Sequence, residues 1–174
     1  FECLEGLTSL NCSKINASTI TLSNPNLQTL DISNNTCTSI DLSGATELVD
    51  INANSLTATK LDLSNCKKLI RASLASVNIQ TLNLSGLKSL NNFTLSGQIN
   101  HLNMSYCESI TMLDVINYGL YSLDVSNCTN LLELNCYDND KLSSLNVKGC
   151  TSLQSIMTRS CAFTSLDLSG LSSL

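Results

Sequence analysis

The chain has 174 residues; 43% are hydrophobic, only 13% are charged, and the net charge is −5. This length suits one domain with a core of its own, and an acidic, sparsely charged chain lacks the basic stripe that nucleic acid needs. No apolar run is long enough to span a bilayer, and leucine recurs too regularly for the abundance of Ser, Thr and Asn to mean disorder.

The recurrence has a period. Leu or Ile stands at positions 7, 27, 48, 69, 90, 110, 131, 153 and 174, with gaps of 20, 21, 21, 21, 20, 21, 22 and 21. Three residues on comes a second column: Leu10, Leu30, Ile51, Ala72, Phe93, Leu113, Leu134 and Ile156. Two further on comes a third, running from Cys12 and Ile32 to Cys136 and Thr158. The second half of each repeat echoes the first, through Ile20, Ile40, Leu61, Leu82, Leu102, Leu123, Leu145 and Leu166 and the apolar residue two beyond each. Each half therefore reads LxxLxL and a turn.

An L-x-L pair has period two, which makes a short strand with one apolar face. Helical spacing is never sustained for two turns. A chain with a buried stripe every 10 or 11 residues can hide it by coiling and stacking, each coil pairing with the next at ~4.8 Å. The reading predicts right-handed coils of about 21 residues. One side carries a parallel sheet, the other a second strand-like row, and there is little helix. The whole of 1–174 forms one domain, with repeats starting at 7, 27, 48, 69, 90, 110, 131 and 153.

The phrase "SLDLSG" (165–170) repeats as "SIDLSG" (39–44) and "TLNLSG" (81–86). Its two apolar residues point inward. The serine is expected to tie the turn through its hydroxyl. The final column, Asn24, Gly44, Asn65, Gly86, Tyr106, Asn127, Gly149 and Gly170, is expected to supply a left-handed corner.

The stretches "LQTLDISNN" (27–35) and "LLELNCYDN" (131–139) resemble the leucine-rich repeat family, in particular a bacterial class with a nested half-repeat of about 21 residues (IRREKO-like). The asparagine that such repeats use to bind turn backbone stands only at Asn35 and Asn139. Its column otherwise holds Ile15, Leu56, Val77, Gln98, Tyr118 and Cys161. The resemblance implies a non-enzymatic module for protein recognition or adhesion at a bacterial cell surface, hence an extracellular setting. The other reading is a structural spacer or stalk of a larger surface protein.

Nine cysteines are present. Cys66, Cys107, Cys128 and Cys150 share a column with Ala45, Leu87 and Leu171. Positions interchangeable with Leu and Ala read as small buried hydrophobes with free thiols, and Cys3, near the end, is the expected exception. No C-x-x-C spacing exists, so no zinc site is expected. Asp41 and Asp62 fall on adjacent coils, but the rest of their column is mostly neutral amide, which does not assemble a calcium site. His101 lacks a nucleophile partner and reads as an exposed edge residue. No catalytic group, metal or cofactor is expected.

Regularity fails in the later coils. Outward positions of the early first halves are small and polar: Ser9, Asn11, Thr29, Asp31, Asp50 and Asn52. Later ones carry Met112, Ile116, Glu133, Tyr137, Met157 and Arg159, with Tyr118 and Tyr121 near the following turn. These eight are the candidate binding residues, for a protein partner, with a glycan as the lesser expectation. Phe1 fills the last strand position of a preceding coil and Leu174 opens a ninth, so a fragment of a longer array is expected, with self-association through uncapped ends.

Overall fold

A computed structural model describes residues 6–174. The expectations on Phe1 and Cys3 lie outside these residues. The chain is a parallel β-solenoid with turns of about 21 residues, and no helix occurs among the described residues. None, therefore, is long and apolar enough to cross a membrane.

Among the described residues strands recur at the repeat interval, eight in the first halves and seven in the second. The first-half strands are β1 (Ser9–Asn11), β3 (Thr29–Asp31), β6 (Asp50–Asn52), the start of β8 (Arg71–Asn83), the start of β9 (Asn92–Asn103), β10 (Met112–Asp114), β12 (Glu133–Asn135) and β14 (Ser155–Met157). The second-half strands are β2 (Thr19–Thr21), β5 (Ser39–Asp41), β7 (Thr57–Asp62), the ends of β8 and β9, β11 (Ser122–Asp124) and β13 (Ser144–Asn146). A two-residue strand, β4 (Thr36–Cys37), pairs with β7 at the corner between halves. Every pairing is parallel and joins equivalent positions, as Leu10 with Leu30, Leu30 with Ile51 and Leu113 with Leu134.

The inward columns make one continuous core. Leu27, Leu48, Leu69, Leu90 and Leu131 are wholly buried, as are Leu61, Leu63, Leu82 and Leu84 of the second half. Cys37, Ala58, Ile79, Ile99, Leu120 and Leu142 are buried too and form one more inward column at the start of the second half. At the ends, Leu7, Leu10, Leu145, Ile156 and Leu168 are only partly buried.

In the middle coils the two sheets merge. β8 runs unbroken for 13 residues and β9 for 12, through the corner that elsewhere separates the halves. The physical cause lies in the corner column. Asn35 is buried and its amide closes the corner: Nδ2 donates to the carbonyls of Cys12 (2.9 Å) and Ile32 (3.0 Å), and Oδ1 accepts from Ile15 N–H (3.1 Å). Asn139 does the same for Val115, Cys136, Tyr118 and Leu120. Leu56 and Val77 cannot. They are buried instead, and the backbone satisfies itself coil to coil, as Asn78 N–H to Leu56 O at 2.9 Å. Continuous strand replaces the side-chain tie.

The left-handed corners depart from the sequence reading. In the second half, Gly86, Tyr106, Asn127, Gly149 and Gly170 have positive φ; Asn24, Gly44 and Asn65 do not. The first half carries a left-handed residue in all eight coils: Lys14, Asn34, Ser55, Ser76, Gly97, Asn117, Asp138 and Ser160. Mixed side chains mask it, because one αL residue costs only on the order of 1–2 kcal/mol and the ladders on either side over-determine it. Gly97 is the strict case. Its coil has one residue fewer, which shifts the β8–β9 register between Leu74 and Val77. At φ +115° a Cβ there would lie 2.1 Å from the Val77 carbonyl oxygen.

The turn after "LDL" is also tied differently. The side chain between the leucines accepts from the backbone N–H two residues on: Asp41 from Ser43 (2.9 Å), Asp124 from Ser126 (2.8 Å), Asp167 from Ser169 (2.9 Å). The carboxyl or amide, not the serine hydroxyl, makes the turn, because a planar acceptor two residues back reaches that N–H directly.

Candidate functional site

Leu113, Leu134 and Ile156 point inward from β10, β12 and β14, so the residues on either side of each stand outward. One outward row is Met112, Glu133 and Ser155; the next is Asp114, Asn135 and Met157. Beyond the strands, Ile116, Tyr137 and Arg159 fall in register, since Asn117 N–H bonds Tyr137 O and Asp138 N–H bonds Arg159 O.

Three of the eight candidates converge. Tyr137, Met157 and Arg159, with Thr158, line an open groove of about 420 Å³. The Arg159 guanidinium lies 5.5 Å from the Tyr137 ring centroid, within cation–π range. Its Nη2 is 3.6 Å from Asp138 Oδ2, and the side chain remains 78% exposed. Met112 and Glu133 are exposed on the same sheet, and Ile116 is half-buried one coil before Tyr137. Leu132, exposed beside Glu133, adds apolar surface that the sequence reading did not single out; it follows Leu131 directly and was hidden by the column rule. Thr158, in a column that runs inward in the earlier coils, lies half-buried in the groove wall.

Tyr118 and Tyr121 do not join the groove. Tyr118 occupies the corner-asparagine column and packs partly buried against the core. Its hydroxyl donates to Leu95 O, and burial, then the nearby Asp114, push its pKa up. Tyr121 is exposed where the second-half strand begins, with its ring 5.9 Å from His101 and 5.5 Å from Lys141 Nζ.

The polar columns are internally satisfied. Burial acts to raise the Asp62 carboxyl, but bonds from Ser64, Lys60 and Asn83 outweigh it and hold it at about 2. Lys60 Nζ is 3.0 Å away, and Asn83 Nδ2 donates at 3.0 Å. Among the described residues no three His, Cys, Asp or Glu side chains gather to hold a metal ion.

The eight described cysteines are free and, except for the partly exposed Cys161, buried. Cys107, Cys128 and Cys150 each donate a thiol to a backbone carbonyl of the preceding coil, at 3.0–3.1 Å. Cys161 stands in the corner-asparagine column and its thiol donates to Cys136 O at 3.2 Å, the carbonyl that Asn139 also holds. Burial pushes Cys66 and Cys107 up to about 11 and Cys128 and Cys136 up to about 12. Such thiols are poor nucleophiles.

No family model and no curated protein matches the chain. Among solved structures, it is similar to the functional domain of InlJ from Listeria monocytogenes, described as including a cysteine ladder. Identity is 18% and the TM-score 0.39, over 98% of this chain and 62% of that one. It is also similar to an internalin (inlF) of Listeria monocytogenes strain 4b F2365, at 17% identity and TM-score 0.30, over 86% of this chain and 66% of that one. The chain thus spans 62% of the length of the InlJ domain.

Proposed function

We propose that this solenoid is a non-enzymatic binding module whose late first sheet recognises a protein partner. The observation that carries the reading is the Tyr137–Met157–Thr158–Arg159 groove, flanked on its sheet by exposed Met112, Leu132 and Glu133. Tyrosine and arginine are the side chains that most often dominate interface energies. Thioethers adapt to irregular apolar surfaces. The fitting partner offers an apolar side chain to the groove and a carboxylate to Arg159. A bacterial cell-surface setting belongs to this reading and rests on the resemblance of the nested 21-residue repeat.

The test is capture of a partner from host or bacterial surface extracts, followed by titration of variants. Tyr137→Ala with Met157→Ala should cost about 2 kcal/mol or more, roughly thirtyfold in affinity. The melting point should fall by less than about 2 °C. An equal loss from Asp41→Asn with Asp62→Asn would move the site to the second sheet and defeat the proposal.

A further inference from the structure

The second sheet departs from its own repeat at one place. In the outward row Thr19, Ser39, Lys60, Thr81, His101, Ser122, Ser144 and Ser165, only coil five carries an imidazole. In the column preceding that row, Ser18, Thr38, Thr59, Gln80, Asn100, Tyr121, Ser143 and Thr164, only coil six carries an aromatic ring. The fold brings these two exceptions together. The rings lie 5.9 Å apart at an interplanar angle of 32°, and His101 Nδ1 is 2.8 Å from Ser122 Oγ.

A third irregularity meets them. Coil seven has 22 residues, and its extra residue falls between Asn139 and Leu142, where coil six has only Gly119 between Tyr118 and Leu120. That insertion sets Lys141 Nζ 5.5 Å from the Tyr121 ring centroid, yet Tyr121 remains 41% exposed. Beside this cluster lies a basin of about 350 Å³. Thr81, His101, Ser122 and Ser144 border it on one row, Asn103, Asp124 and Asn146 on the other. Leu82, Leu102 and Leu123 are buried beneath it. The volume falls within the ~300–1,000 Å³ of small-ligand sites.

We propose that this basin binds a sugar, with His101, Ser122, Asn103, Asp124 and Asn146 as hydrogen-bonding partners for its hydroxyls and with Tyr121, which stands beside His101 just outside the lining, as the ring that the overhanging edge of the sugar meets. The chemistry selects this ligand. The Oδ1 atoms of Asn103, Asp124 and Asn146 hold the turn N–H groups of Ser105, Ser126 and Lys148, which leaves the two amide nitrogens as donors and the second Asp124 oxygen with the row's hydroxyls as acceptors, the mixture a polyol requires. One exposed ring with an electron-rich face suits the polarised C–H bonds of a pyranose. A peptide would need an apolar anchor pocket, and the apolar residues here are sealed below the surface. A phosphate would meet Asp124 on the rim and no arginine. The site lies apart from the first-sheet groove and does not depend on that groove having a partner.

The test uses saturation-transfer NMR on the folded chain with N-acetylglucosamine, galactose, mannose and sialyllactose, each at about 10 mM, a range that reveals dissociation constants on the order of 1–10 mM. At least one should bind. Tyr121→Ala and His101→Ala should each weaken it about tenfold, Tyr121→Phe should restore it, and Tyr137→Ala should leave it unchanged. Unaltered melting points for the exposed substitutions would establish that the fold is intact. Binding of none of the four, binding that survives both alanine variants, or binding of sialyllactose alone that disappears with added salt would each overturn the proposal.

Discussion

Replacing Asn139 by Leu separates the two ways this solenoid closes its first-half corner. Asn139 is fully buried. Its Oδ1 accepts from the N–H groups of Tyr118 (3.0 Å) and Leu120 (3.1 Å), and its Nδ2 donates to Val115 O (2.7 Å) and Cys136 O (2.9 Å). Leucine has the same branched outline, with bulkier methyl groups in place of the carboxamide, and replaces none of these bonds. Cys136 O keeps a partner in the Cys161 thiol. Tyr118 N–H, Leu120 N–H and Val115 O lose theirs, and each buried group left unsatisfied costs about 1–3 kcal/mol. Even at the low end the sum is about 3 kcal/mol, which for a chain of this size is a melting-point fall of about 6–12 °C. Thermal circular dichroism measures the fall, and amide exchange at Tyr118 and Leu120 locates it. The same column tolerates leucine at position 56, where Thr57 N–H bonds Asn35 O and Asn78 N–H bonds Leu56 O. A fall under about 2 °C, with protection at both amides unchanged, would show that the corner of coil six is closed by its backbone after all.

Ala72 is buried, paired with Ile51 on one side and Phe93 on the other, so Ala72→Leu should destabilise by overpacking, about 1–3 kcal/mol by urea titration; an unchanged midpoint would contradict the shared column. Gly97→Ala should cost about 3 kcal/mol or more, because its Cβ would meet Val77 backbone at 2.1 Å, and soluble expression with a wild-type melt would refute the cramped corner. Cys161 should be the first described thiol to react with iodoacetamide near neutral pH, read by peptide mass, while Cys128 and Cys136 stay unmodified. Folding raises the thiol values above the ordinary 9.0 to about 11 and 12. The native state therefore holds protons that the unfolded chain releases, so stability should decline as pH rises from about 9 toward 12; a flat denaturation midpoint over that window would contradict the burial.

The architecture was legible in the sequence because side-chain period and burial are the same information in a strand. Leu27, Leu48 and Leu69 recur because each must face one core, and the parallel pairing of Leu30 with Ile51 follows from their equal place in the repeat. The buried thiols were legible for the same reason, since Cys128 and Cys150 share a column with Leu87. Backbone conformation left a fainter trace. Lys14, Ser55 and Ser76 take left-handed φ without being the residues that prefer it, because neighbouring ladders impose a conformation whose local cost is small. The merging of two sheets through β8 and β9 was not legible either, since it depends on what Leu56, Val77 and Gly97 force their neighbours to do. The surface was decided by the tertiary structure almost alone. Tyr118 and Tyr121 look alike in sequence, three residues apart, yet one turns its hydroxyl onto Leu95 in the wall of the solenoid and the other stands in solvent beside His101. A column assigns a residue to the inside or the outside of the coil. Which outward side chains meet depends on the stacking of coils whose lengths differ by one residue, and it is the extra residue of coil seven that sets Lys141 beside Tyr121.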